Sequence, residues 1–247
     1  MTYTVDTVSK GKYFAQIVPD EDPGETPRDW DNLGTMVCFH RNYNLGDIIT
    51  HKGSNRTESG KDENTFSSPE QFKEWLNAYG EDEDRFKLNP EIVIILPLYL
   101  YDHSGLSMST GREYPFNSPW DAGQVGYIFV TKDQVRKEYS CKHITKKVLA
   151  LAESCLRGEV ETYNQYLTGD VYGYRLFRLD LSLFEEDEEF DPDNDDPEDY
   201  GEEIDSCYGF YGFDYCKEEV KSLIDYHLAE DQKEQEKLDL RLEMVSR

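Results

Sequence analysis

Ile92-Val93-Ile94-Ile95-Leu96-Pro97-Leu98-Tyr99-Leu100-Tyr101 is the stretch on which the fold turns. It is too short to span a bilayer as a helix, and Pro97 interrupts it. Its β-branched and aromatic content points to a strand. Both faces are apolar, so the strand is expected to be central in its sheet, covered on each side. Outward from it, Gly123–Val130 reads as its neighbour and Leu106–Thr110 as a short strand between the two. Lys12–Val18 and Thr35–His40 are earlier strands, and Asp170–Phe184 with Ile204–Phe213 reads as a hairpin. Helices are marked by their caps. Ser68-Pro69-Glu70-Gln71 places a capping Ser, a first-turn Pro and a reciprocal Gln in order, with Phe72, Trp75, Leu76 and Tyr79 following at helical spacing. Thr131–Gln134 repeats the capping box and opens a short helix. Ile144–Leu167 is a longer one, with Val148, Leu151, Ala152, Cys155 and Leu156 on its inner face. Asp214 caps a last helix whose Val220, Leu223, Ile224 and Leu228 face inward. The order is hairpin-rich with no regular βαβ alternation. The expected class is α+β, a mixed, mainly antiparallel sheet with flanking helices and a long acidic hairpin loop. Residues 1–247 are expected to form one domain, with a flexible acidic loop at 185–205 and a charged helical extension at 230–247.

Composition sets the partners this chain can have. It carries 52 acidic and 26 basic side chains, a formal charge of −26. Such a field repels nucleic acid and anionic membranes and attracts basic protein surfaces. Hydrophobic content of 37% is low, but 13% aromatic content, with Tyr at 18 copies, lets few residues close a core. Five cysteines at irregular spacing argue against a secreted disulfide framework. The first residues carry no basic segment followed by an apolar one, so the expected setting is soluble, reducing and cytoplasmic.

The charge is concentrated. Between Glu185 and Asp205 lie 14 acidic residues and no Lys or Arg: Glu185, Glu186, Asp187, Glu188, Glu189, Asp191, Asp193, Asp195, Asp196, Glu198, Asp199, Glu202, Glu203 and Asp205. One reading is a solvated loop that keeps the chain soluble. A second is imitation of a phosphate backbone, since DNA carries a charge about every 1.7 Å of its axis. Asp20-Glu21-Asp22 and Glu81-Asp82-Glu83-Asp84 extend the same character to other surfaces. Asp191, Asp193, Asp195, Asp199 and Glu202 fit positions of a calcium loop, but Asp196 stands where such a loop needs Gly. No metal or cofactor is expected.

Two other groupings could carry chemistry. Strand alternation puts Cys38 and His40 on one face, as a thiolate–imidazole pair or part of a metal site would require, but no further ligands are spaced to complete one. Tyr101-Asp102-His103-Ser104-Gly105 lies at the exit of the long apolar strand, with Pro119-Trp120-Asp121 before the next. Asp102 or Asp121 could orient His103 as a general base, with Ser104 or Cys38 nearby; ordinary turn chemistry explains the same residues. No phosphate-binding Gly loop, HExxH or GxSxG is present. The aromatic cluster Tyr208–Tyr215 has acidic neighbours, which suits a core edge or a protein contact better than stacked bases.

At Trp30-Asp31-Asn32-Leu33-Gly34-Thr35-Met36-Val37-Cys38-Phe39-His40-Arg41, Leu98–Gly105, Pro119–Gly126 and Cys207–Gly212 the chain resembles a family of uncharacterised proteins carried by bacteriophages and other mobile elements. The resemblance covers about Trp30 to Tyr215 and brings no known activity. Family members join their last two strands by a shorter turn, so the acidic run looks like an elaboration. The resemblance implies a counter-defence or host-takeover role. The expected partner is then a basic, nucleic-acid-binding host protein such as a nuclease, a restriction or defence complex, or RNA polymerase, held by the Glu185–Glu203 acids and blocked. The alternative is an enzyme acting through His103, Asp102 and Asp121 with Cys38 or His40, or a non-catalytic structural or regulatory phage protein.

Overall fold

Segments rich in Val, Ile, Phe and Tyr, apolar at every second position, pair here into two sheets. The computed structural model describes residues 3–40, 42–49, 72, 91–111, 120–184, 190–192 and 194–245. The expected helix from Ser68 lies outside these residues except for Phe72, as does Glu81–Asp84. The chain is of the α+β class, and its residues gather into two compact units where the sequence suggested one domain. A terminal unit takes residues 1–24 and 169–247, and a middle unit takes 25–168.

The middle unit holds β3 (Thr35–Cys38), β4 (Ile48–Ile49), β5 (Ile92–Asp102), β6 (Leu106–Thr110) and β7 (Ala122–Thr131) in the order β4-β3-β7-β5-β6. Only the β3–β4 pair is parallel. β5 is therefore next to the edge, not in the centre as its double apolar face suggested. Alternation sends Met36 and Cys38 of β3, Leu96, Leu98 and Leu100 of β5 and Ile128 of β7 into one core. On the other face Val37, Ile92 and Phe129 pack with Phe72. Thr131 caps α1 (Lys132–Glu138) through a capping box with Gln134, as its sequence predicts. α2 (Lys146–Thr168) closes the first core with Ala152, Leu156, Val160 and Tyr163. Leu151, expected on the inner face, is 48% exposed instead.

The terminal unit holds β1 (Asp6–Lys10), β2 (Tyr13–Pro19), β8 (Val171–Leu179) and β9 (Gly201–Tyr211), antiparallel in the order β1-β2-β8-β9. β8 and β9 form the expected hairpin. One sheet face packs Tyr13, Ala15, Ile17, Tyr174 and Leu176 against Cys216, Val220 and Ile224 of α4 (Phe213–Val245). The other carries Phe14, Phe177 and Leu179 with Phe190 and Tyr200. β9 begins at Gly201, three residues before the strand expected at Ile204, and one helical turn, α3 (Pro197–Tyr200), leads into it. Part of the acidic run is thus regular structure.

Candidate functional site

Two places concentrate ionisable groups: the acidic run of the terminal unit and one rim of the middle sheet.

Beyond Glu185–Glu189 and Asp193, which lie outside the described residues, the acidic run is tied to its own sheet. Phe190 stacks edge-on against Phe14 at 4.7 Å, and Tyr200 lies flat on Phe184 at 4.9 Å. Strand pairing sets β9 beside the two arginines of β8. Arg175 reaches Glu198 at 2.6 Å and Glu203 at 2.5 Å, and Arg178 pairs with Glu202. Asp205 accepts the Tyr174 hydroxyl at 2.7 Å. Asp196 caps α3 by accepting the Glu198 N–H. The Asp195 carboxylate accepts the Asp191 N–H at 2.8 Å, and the Asn194 side chain donates to Asp191 at 2.6 Å. These carboxylates turn inward to close a local turn and do not converge as calcium ligands would. Among the described residues no group of three or more His, Cys, Asp and Glu could hold a metal ion.

What the sequence could not show is how the remaining charge is divided. The terminal unit carries 30 acidic and 10 basic side chains, a formal −20 of the −26. Seven of its ten cations are engaged at home: Lys10 with Asp225, Lys12 with Asp231, Lys217 with Asp6, Lys221 with Glu218, Lys233 with Glu230, and the two β8 arginines as above. The surplus has no internal counter-charge to cancel it. On α4 alone ten acidic residues are spread over 33 residues, roughly 50 Å of helix. That is about one per 5 Å, against about one per 3.4 Å on a single DNA strand. Five Lys and Arg interleave with them, so the denser run of acids remains 185–205.

The second place is built by topology. β3 and β5 run one way and β7, between them, the other, so residues after β3 and β5 meet residues before β7. His40 Nε2 lies 3.7 Å from Asp102 Oδ2, and His103 Nδ1 lies 3.8 Å from Asp121 Oδ1. The two halves are joined by the Asp102 N–H donating to the Asp121 carbonyl at 2.8 Å. His40 is mostly buried and stacks on Tyr43 at 5.1 Å. Its Nδ1 accepts the N–H groups of Asn42 and Tyr43, which fixes Nε2 as the protonated nitrogen facing Asp102. His103 is 62% exposed, with Asp121 behind Nδ1. Ser104 holds φ 59° and Gly105 φ 152° in the turn that carries it. Of the five residues singled out in sequence, His40, Asp102, His103 and Asp121 come together, as an aspartate–imidazole arrangement suited to moving a proton, and Cys38 does not.

Cys38 is not part of that group. It is 4% exposed among Met36 and Leu45, and burial, with Asp47 nearby, raises its thiol pKa far above the ordinary value. A thiol held this firmly protonated is no nucleophile.

Sequence reasoning missed the most buried ionic cluster among the described residues. Arg28 is 6% exposed; its Nε and Nη2 donate to Asp47 at 2.6 and 2.7 Å, Nη1 to Glu159 at 3.0 Å, and Nη2 also to the Gly34 carbonyl at 2.8 Å. Burial lowers the Arg28 pKa, and the bonds to Asp47 and Glu159 raise it by more. Asp47 accepts the Met36 N–H, and Glu159 accepts those of Leu33 and Gly34. Every member has its partners, so the cluster fastens the 28–36 loop to α2 and offers nothing to a substrate. One signal was available: Glu159 sits on the apolar stripe of α2, between Leu156 and Val160.

No helix among the described residues is long and apolar enough to cross a membrane. No family model, curated protein or solved structure matches the chain.

Proposed function

We propose that the protein is an acidic, phage-type inhibitor whose terminal unit occupies the basic, nucleic-acid-binding face of a host protein and blocks it. The observation that carries this reading is the division of charge: −20 of −26 lies in one unit, seven of whose ten cations are already paired within it. A field of that size steers a basic partner and raises its association rate, and salt screens it over about 10 Å at 0.1 M. Pairing at home makes Glu198, Glu202 and Glu203 scaffolding for the hairpin. Contact then falls to the other acids of the run, Glu185, Glu186, Asp187, Glu188, Glu189 and Asp193 among them, together with α4 acids outside the ion pairs above, such as Glu219, Glu234 and Glu236.

The test follows from the hairpin geometry. Deleting 186–203 would cut into β9 and strand Arg175 and Arg178. Converting Glu185, Glu186, Glu188 and Glu189 to Gln and Asp187 to Asn removes five charges and leaves the β8–β9 pairing intact. Retention of a nucleic-acid enzyme from host lysate at about 0.1 M salt, its loss at about 0.5 M and its loss with the neutralised variant are the expected results. A partner held equally by both proteins sinks the reading.

A second reading is favoured by the convergence of His40, Asp102, His103 and Asp121 on one rim. There Asp121 orients His103 as a general base with Nε2 turned outward. His103→Ala would abolish that activity and leave salt-sensitive capture unchanged.

A further inference from the structure

β5 is paired along its whole length on one side only. β7 accompanies it from Ile92 to Tyr101, whereas β6 pairs with it only from Leu98 to Asp102. Pro97 supplies the reason. Its carbonyl accepts the Thr110 hydroxyl at 2.7 Å, so its nitrogen also faces the β6 side, where Pro has no N–H to continue the ladder. Alternation then turns the N–H and C=O of Ile95 to the same side, and among the described residues no hydrogen bond reaches them there.

This open edge floors a groove of about 740 Å³, lined by Val93–Pro97, by Gly111 where β6 ends, and by Lys146, Leu149, Ala150, Glu153 and Arg157 of α2. Val93, Ile94 and Ile95 are only half-buried, although they begin the most apolar segment of the chain. The contrast with β6 is instructive. The outer edge of β6 is satisfied by α2 itself, where Asn164 accepts the Met108 N–H at 2.7 Å and the Ser107 hydroxyl at 3.0 Å. One turn after another towards its N-terminus, α2 offers only a wall.

An open strand edge beside a helix can receive an extended peptide as an added strand. We propose that the β5–α2 groove binds an extended segment of a partner protein, apolar at alternate residues and carrying Asp or Glu side chains, as a strand in line with β6. The wall favours acidity. Arg157 is held by Glu153 at 2.7 Å, which leaves Lys146 as the surplus cation, and α2 opens with Lys146-Lys147 and no acidic residue in its first turn, so its N-terminal dipole adds to the positive field. A second copy of this chain is disfavoured, since it would bring a body of formal −26 against another of the same charge, where a short segment brings only a few charges. The groove is independent of the acidic terminal unit.

Two measurements test it. Amide exchange on the free protein should show Ile95 exchanging fast between the protected amides of Ile94 and Leu96; slow exchange at Ile95 overturns the open edge. A phage-displayed library of random 12-residue peptides should then yield binders with alternating apolar residues and Asp or Glu, and a synthetic copy of one should protect Ile95. Ile95→Pro, which removes the outward N–H, and Lys146→Glu, on an exposed helix position that leaves folding unchanged, should each weaken that peptide about tenfold or more. No enrichment, clones indifferent to both substitutions, clones that need only a free C-terminal carboxylate, or self-association in place of peptide binding would each overturn the proposal.

Discussion

Replacing Arg28 by Met should unfold the middle unit far more readily than any surface change. The substitution keeps volume but leaves Asp47 and Glu159 without their cation, and those side chains are only 24% and 11% exposed. Removing one member of a buried ion pair costs about 3–5 kcal/mol, because the partner charge stays desolvated. Asp47 keeps the Met36 N–H and Glu159 keeps that of Leu33, which places the cost near the lower bound, at about 3 kcal/mol. For a body of this size that corresponds to a fall in Tm of roughly 6–12 °C. The assay is built in. All three tryptophans, Trp30, Trp75 and Trp120, lie in residues 25–168, so urea denaturation followed by Trp fluorescence reports the middle unit alone. Combining Arg28→Met with Asp47→Asn and Glu159→Gln should recover much of the loss, since no buried charge then remains unpaired. A cost for Arg28→Met below about 0.5 kcal/mol, the scale of a surface substitution, would refute the argument that this cluster fastens the loop to α2.

Gly126→Ala should cost at least about 1–3 kcal/mol by the same assay, because a Cβ there would stand 1.9 Å from the Val37 carbonyl oxygen, backbone that cannot swing away. Acid should loosen the terminal unit: Lys217 holds the Asp6 pKa below 3.8 and Lys12 does the same for Asp231. A depressed folded value gives stability that is present above pH 3.8 and lost as pH falls through the folded pKa, so circular dichroism should show no loss from these pairs until about pH 4 and a progressive one below it. Thiol alkylation of the native protein at pH 8 should mark the exposed Cys207 first and spare Cys38 and Cys216, whose burial raises the Cys216 pKa to about 11; rapid labelling of Cys38 would contradict its place in the core.

Much of the secondary structure was legible because its causes are local. The Thr131–Gln134 capping box, the span of α2, the β8–β9 hairpin and the inward faces of Val220 and Ile224 each depend on residues two to four apart. Errors came where distant chain decides. β1 was missed because Asp6–Lys10 is short and polar and owes its strand form to pairing with β2. Leu151 was placed inward by periodicity, whereas the stripe that packs runs through Ala152, Leu156 and Val160.

The sequence by itself determined the α+β class, the sign of the charge and its gathering into 185–205, and offered His40, Asp102, His103 and Asp121 with Cys38 as candidate site residues. Composition and short-range periodicity are sufficient for all of these. Only the tertiary structure decided that those four meet on one rim, that Cys38 is core, and that Glu198, Glu202 and Glu203 belong to Arg175 and Arg178. It alone joined Arg28, Asp47 and Glu159, and left Ile95 at an open edge. Such pairings link residues up to 131 positions apart, and the energy that selects them comes from burial and strand register, which no local pattern records.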